Sequence, residues 1–291
     1  MKVCILISTC EKYRALLHFT RARLAEFWPG IPPVRVAGIE NEPDALELRD
    51  DSRNWMKVTR SACEDLITEG FDAAYVLLED HPPLASCDTR RLGEELPEMM
   101  ADLGAVSIAL SGFGQGRKRL GEKTQWRDWD LDRCLPSTLW KFPLHPALWR
   151  LSALRELLDR LIQQLPESEH TPWAFERKGG APDANLPVEL TSHSYRIDGR
   201  HKAVAPYPAG LGAMRFATDV FRFAARKLAG PAAREAVDER ILGVHHYYHG
   251  PYPLLWSGLM RKGKLNPDAL YFLRLAGRSD WCRELEQMPL S

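Results

Sequence analysis

Residues 73–78, AAYVLL, contain no charged side chain, and the run stops abruptly at Glu79, Asp80, His81, Pro82 and Pro83. Two further near-continuous apolar runs, KVCILIS at 2–8 and GAVSIAL at 104–110, have the same character. A strand with one wet face alternates in polarity, whereas a run this uniform fits a strand covered on both faces, as in a parallel sheet. Between the runs the period changes. Tyr13, Leu16, Leu17, Thr20, Leu24 and Phe27 recur at helical spacing, and a helix is expected across Trp55 to Thr68. Alternating strands and helices define a doubly wound, mostly parallel α/β sheet, whose ligands bind beyond the carboxyl ends of the strands.

Further elements follow from the same reading. Thr9 stands where an N-cap for the first helix is expected, and PPVRVAGIE at 32–40 is a second strand ending in Glu40. A helix is expected around 89–103, a loop over 111–132, a strand then a turn within STLWKFPLHPALWR, and a helix over 151–165. In TPWAFER, Pro172 suits a helix start, with Trp173 and Phe175 pinning the segment by burial. Arg215 to Lys227 reads as a basic amphipathic helix, packed or resting on an anionic membrane surface, and a short helix closes the chain. The expected organisation is a nucleotide-binding and catalytic core over 1–205 with a helical, loop-rich extension over 206–291.

Composition narrows the partners. Lys plus Arg and Asp plus Glu both number 39 in 291 residues, so no basic field marks a nucleic-acid binder. Six scattered cysteines, with no CxxC pair, suit a reduced, cytoplasmic setting. The start, MKVCILISTCEKY, runs straight into charge and reads as a strand rather than a signal peptide. No segment has the ~18 consecutive apolar residues of a membrane span.

Four places carry candidate chemistry. Glu79 and Asp80, at the mouth of a buried strand, suit a divalent cation bridging phosphates, or else a simple turn. SGFGQGRKRLGEK lacks both the P-loop ending and the GxGxxG spacing; it is a surface loop, or a basic lid over an anion. His245, His246 and His249 lack an HExxH glutamate and sit beside Gly250-Pro251, which speaks against independent zinc binding. Glu176 is either a general base for a hydroxyl or a helix-dipole partner.

In this order, VCILISTCEKYRAL, AAYVLLEDHPP, FPLHPALWRLSALRELL, TPWAFER and LLWSGLMRKGKL together resemble bacterial nucleotide-sugar glycosyltransferases of the GT-A type, of the surface-polysaccharide kind. The resemblance implies that Ser8, Thr9 and Tyr13 hold the nucleotide base and ribose, with Glu40 at the second strand end. It implies that Glu79 and Asp80 hold the diphosphate and a Mn or Mg ion, Asp80 being the metal ligand. The family's D-x-D pattern is EDH here, so metal-independent neutralisation by His81, Arg261, Lys262 or Lys264 stands beside the metal reading. Glu176 takes the place of the acceptor-side carboxylate of inverting members. The implied partners are a nucleotide-diphosphate sugar and a saccharide or lipid-linked acceptor, in the cytoplasm or at the inner membrane face. A metal-dependent phosphotransferase or hydrolase using Asp80, and a degenerate transferase serving as a binding partner, are the competing readings.

Overall fold

The computed structural model describes residues 1–110, 122–135, 141–179 save Pro143 and His145, 193–197, 224, and 247–289 save His249, Trp256 and Ser257. The main sheet contains β1 (Val3–Ser8), β2 (Val34–Ala37), β3 (Ala73–Leu78), β4 (Ser107–Ala109), β5 (Glu122–Trp126), β6 (Trp129–Arg133), β7 (Ala147–Arg150) and β8 (Ser194–Ile197). Its order is β2-β1-β3-β7-β4-β8-β6-β5. Six strands run one way and two, β6 and β7, run against them. The sheet is thus mostly parallel in strand direction, with β7 wedged antiparallel between β3 and β4.

Helices cover both faces, as the unbroken apolar strands require. Alternate residues of β1 and β3 point to opposite sides. Ile5, Ile7, Tyr75 and Leu77 join Leu17, Leu24 and Trp28 of the segment around α1 (Arg14–Phe27), with Leu96, Met99 and Met100 of α3 (Leu96–Asp102). Leu6, Ala74 and Val76 join α2 (Trp55–Thr68), α4 (Leu151–Gln164) and α5 (Pro172–Gly179) on the other face. Each fully buried leucine on these faces contributes roughly 2 kcal/mol. The C-terminal helices α6 (Pro267–Leu275) and α7 (Ser279–Glu286) are not a separate layer. Leu273, Trp281 and Leu285 pack on Leu16 and Phe19 of α1. The expected division at 205/206 falls outside the described residues, as do the expected helix over 215–227 and His245, His246 and His249.

Several expectations are corrected. The chain over 122–133 is not a loop but the β5–β6 hairpin, in full antiparallel register from Glu122↔Arg133 to Trp126↔Trp129. Its charge reflects an edge position, and Trp126, Trp129 and Leu131 are buried. The strand expected within STLWKFPLHPALWR is β7, confined to its last four residues. β2 ends at Ala37, so Glu40 lies three residues beyond it. Thr9 is no helix cap: a 3-10 turn, Glu11–Tyr13, precedes α1, and Tyr13 occupies the capping position without a side-chain bond. All six cysteines are free thiols. Among the described residues no helix is long and apolar enough to cross a membrane.

Candidate active site

The parallel trio β2-β1-β3 brings three strand ends to one edge of the sheet. The Thr9 amide donates to Ala37 O at 3.0 Å. The β1 and β2 ends approach so closely that a Cβ on Gly38 would overlap Thr9 O; only glycine fits there.

At this edge Glu79 is 7% exposed. Burial pushes its carboxyl upward from the ordinary range, and the neighbouring Asp80 charge adds to the shift; its own amide and the Thr9 hydroxyl oppose it. Thr20 of α1 donates to the Glu79 carbonyl, fixing the backbone. Asp80 is likewise raised by burial, opposed by the Met260 amide. His81, also buried, is lowered to about 4 by desolvation and is neutral near pH 7. Its Nε2 stands 3.7 Å from Asp80 Oδ1, too far for a hydrogen bond.

Asp80 also builds the wall of the site. Beyond a short strand pair, β9 (Tyr247–Tyr248) and β10 (Leu254–Leu255), the chain forms a small hairpin of β11 (Met260–Arg261) and β12 (Lys264–Leu265). The Leu259 amide donates to Asp80 O at 2.9 Å, and the Met260 amide to Asp80 Oδ2 at 3.4 Å. Gly258 makes the approach feasible: a Cβ there would overlap Asp80 Oδ2. The tip, Lys262 and Gly263 with φ of 53° and 74°, leans on the β1–α1 connection, where a Cβ on Gly263 would meet Lys12 Nζ at 3.3 Å and Tyr13 Oη at 3.8 Å. Tyr13 is pushed up first by burial, then by the Cys10, Glu79 and Asp80 charges. Arg261, Lys262 and Lys264 are exposed around it.

Thr9, Tyr13, Glu79, Asp80 and the Lys262–Lys264 hairpin therefore gather at one place. Ser8 does not face it: the hydroxyl is buried 3.0 Å from that of Thr59 on α2. Glu40 is exposed, and its carbonyl accepts from Arg14 at 2.8 Å. The better-held carboxylate there is Glu42, 6% exposed and paired with Arg14 and His18. Sequence reasoning passed over Lys12, Gly258 and Glu42; only Lys12, adjacent to Tyr13 in CEKY, had a local signal.

For the implied divalent cation, Asp80 Oδ1 is buried with no hydrogen-bond partner. Oδ2 is engaged by the hairpin. Among the described residues no group of three His, Cys, Asp or Glu side chains is placed to hold a metal, short of the six or more oxygens such ions take. Among the described residues the donors at this edge are too few to hold such an ion by themselves.

The remaining expected site residue, Glu176, lies on α5. The Thr171 hydroxyl accepts from the Ala174 amide at 3.2 Å at its start. Phe175 is locked between Trp55 and Trp149, with ring centroids 5.3 and 6.0 Å away. This rigid seat positions Glu176, whose Oε1 accepts from the Leu144 amide at 2.6 Å. Burial raises the Glu176 carboxyl, the Leu144 amide and the Arg196 charge oppose that, and the Asp80 charge adds to it. Arg196 of β8 is itself buried, with Cys134, Asp132 and Glu176 acting on it. Trp173, expected to be pinned by burial, is 68% exposed, whereas Phe175 is fully buried.

No protein-family model matches the chain, and neither does any curated protein. Among solved structures, a crystal structure of S. aureus TarS matches with a TM-score of 0.39 and 11% identity, over 84% of this chain and 43% of that one. The chain thus spans less than half of that TarS structure. A structure of TarS 1-349 gives 0.38 and 11%, over 84% and 71%. One titled mannose-1-phosphate geranyltransferase, from Thermus thermophilus, gives 0.35 and 17%, over 68% and 74%. Likenesses this distant carry no functional assignment, so the site is read from its own residues.

Proposed function

We propose that this chain is a glycosyltransferase of GT-A-like architecture that moves a sugar from a nucleotide-diphosphate sugar to an acceptor hydroxyl by inverting displacement, in polysaccharide or glycoconjugate synthesis. The reading is supported by the gathering of Thr9, Tyr13, Glu79, Asp80 and the basic Lys262–Lys264 hairpin at the carboxyl edge of the sheet, with Glu176, held on α5 by the Leu144 amide, as the acceptor-side base.

In this reading Thr9 and Tyr13 line the donor end, and the Lys262–Lys264 hairpin with Arg261 and Lys12 takes up the charge of the departing diphosphate. With Oε1 held by the Leu144 amide, Glu176 offers Oε2 to the acceptor hydroxyl. A carboxyl raised toward neutrality is the stronger base, and it must still be ionised to act. It removes the hydroxyl proton as the oxygen attacks the anomeric carbon; the new C–O bond forms while the bond to the diphosphate breaks. The leaving group departs as the nucleoside diphosphate.

The test is Glu176→Gln with calorimetry against uridine, guanosine, cytidine and thymidine diphosphate sugars, with and without manganese. The expected result is turnover reduced by about 10²–10⁴-fold with donor affinity retained. Undiminished turnover in Glu176→Gln, or no donor bound by the native protein, overturns the reading.

A further inference from the structure

Asp80 is tied to a segment far along the chain through two of its own oxygens. Its carbonyl accepts from the Leu259 amide at 2.9 Å, and Oδ2 of its carboxylate accepts from the next amide, that of Met260, at 3.4 Å. Gly258, one residue earlier, lies so close that a Cβ there would overlap Asp80 Oδ2 and stand 2.9 Å from Cγ, and the three nearest atoms all belong to that carboxylate. The φ of Gly258 is outside the left-handed region, so its backbone conformation does not call for glycine. The Asp80 carboxylate does.

These contacts set the direction of the hairpin that follows. Leu259, Met260 and Leu265 pack in one apolar cluster with Leu16 and Phe19 of α1, but apolar packing is non-directional and holds a segment down without fixing its pitch. Hydrogen bonds are directional, and Asp80 accepts two from successive amides. At the base of the hairpin, the Asn266 amide donates to Leu259 O at 2.8 Å and its side chain to Gly258 O at 3.1 Å. Lys262 and Gly263 join the two strands, both at positive φ, as a tight two-residue turn requires. A hairpin this short moves as one piece, so a change of angle at residues 258–260 swings its tip. The tip carries the exposed Lys262 and Lys264, and a Cβ on Gly263 would meet Lys12 Nζ at 3.3 Å.

We infer that Asp80 and Gly258 form a latch that sets the pitch of the 258–265 hairpin, so that both act on diphosphate binding through the hairpin's basic tip. Both are positioning residues. The inference rests on the transferase reading for a nucleotide sugar as the ligand. The sign of the effect separates a latch from a bare charge. A carboxylate that merely stood beside a bound diphosphate would repel it, and its removal would tighten binding. Removal of a latch frees the cationic tip to swing away from Lys12, and binding weakens.

Native protein, Asp80→Ala, Asp80→Asn, Gly258→Ala and the combined Asp80→Ala, Gly258→Ala variant are compared by hydrogen exchange over residues 258–266. The same proteins are titrated in a calorimeter with inorganic pyrophosphate and with nucleotide-diphosphate sugars, without added metal. Expected in Asp80→Ala and in Gly258→Ala are exchange about tenfold faster over this segment and pyrophosphate affinity about tenfold lower. Asparagine keeps an acceptor oxygen for the Met260 amide, so Asp80→Asn recovers most of both losses. In the combined variant the added methyl group meets no carboxylate, so the two effects fall short of their sum. Native exchange rates in Asp80→Ala and Gly258→Ala overturn the inference. So do tighter pyrophosphate binding by Asp80→Ala, an Asp80→Asn variant no better than Asp80→Ala, or native protein that binds no pyrophosphate. Pyrophosphate binding that depends on the latch, in a protein that binds none of the nucleotide sugars, would sustain the latch while removing the transferase reading.

Discussion

Two buried acidic sites in this molecule are treated in opposite ways. Glu95, 6% exposed and just before α3, is fully provided for: Trp129 Nε1 donates at 2.8 Å, Arg90 lies at 2.6 Å and Arg91 at 3.9 Å. Glu79 and Asp80 are also buried, yet among the described residues neither forms an ion pair with a lysine or arginine, and Asp80 Oδ1 has no hydrogen-bond partner. Burying a charge without a partner is expensive, and groups so placed move their pKa upward instead, as both carboxyls do. Glu95 is tied into the fold by its partners, whereas the Glu79–Asp80 edge has no such pairing among the described residues and lies beside the basic hairpin.

The contrast can be broken by substitution. The largest effect on stability belongs to Glu95→Ala, which strands the buried Trp129 N–H and removes a charge-assisted bond; a loss of about 3 kcal/mol is expected in denaturant unfolding. Glu79→Gln should do the reverse, stabilising the protein at pH 8 by at least the ~1.4 kcal/mol that one pKa unit represents, while lowering donor affinity. A destabilised Glu79→Gln would mean that the carboxylate is compensated after all.

The same contrast predicts a pH dependence. Glu79 and Asp80 keep their protons to higher pH in the folded chain than in the unfolded one, where carboxyls titrate near pH 4. The folded state therefore binds more protons above that pH, and this contribution to stability is lost as pH rises through the raised values. Thermal melts from pH 5 to 8 should show native protein losing more stability than Glu79→Gln; parallel curves would refute it. The smallest effect on stability should come from Lys262→Ala with Lys264→Ala. Both side chains are exposed, so the melting temperature should hold while donor affinity falls and its salt dependence weakens.

Much of the scaffold was legible because its signals are local. The bounds of α2 and β3 follow from apolar spacing and the polar residues that end it, and α4 is misjudged by a single residue. What periodicity cannot carry is direction and neighbourhood. Nothing in ALWR says that β7 enters antiparallel between β3 and β4, and the charged β5–β6 hairpin hides its buried tryptophans among edge residues. At the sheet edge, Thr9, Glu79 and Asp80 were readable as strand-end polar groups, whereas Tyr13 entered only through the family resemblance. Ser8 was misleading, since the strand pleat turns its hydroxyl toward Thr59. The exposure of Trp173 was hidden by a composition rule that places tryptophans inside.

The hydrogen bonds between Asp80 and the 259–260 backbone span up to 180 residues of sequence, and that separation has a consequence in time. At roughly 5–20 residues per second, a ribosome takes on the order of ten to forty seconds to make the intervening chain. Throughout that interval the β1–β3 core can already be folding with its acidic edge uncovered. The acidic edge is therefore completed only after the 259–260 backbone has been made, and a nascent chain shorter than about residue 265 has no hairpin to set beside it.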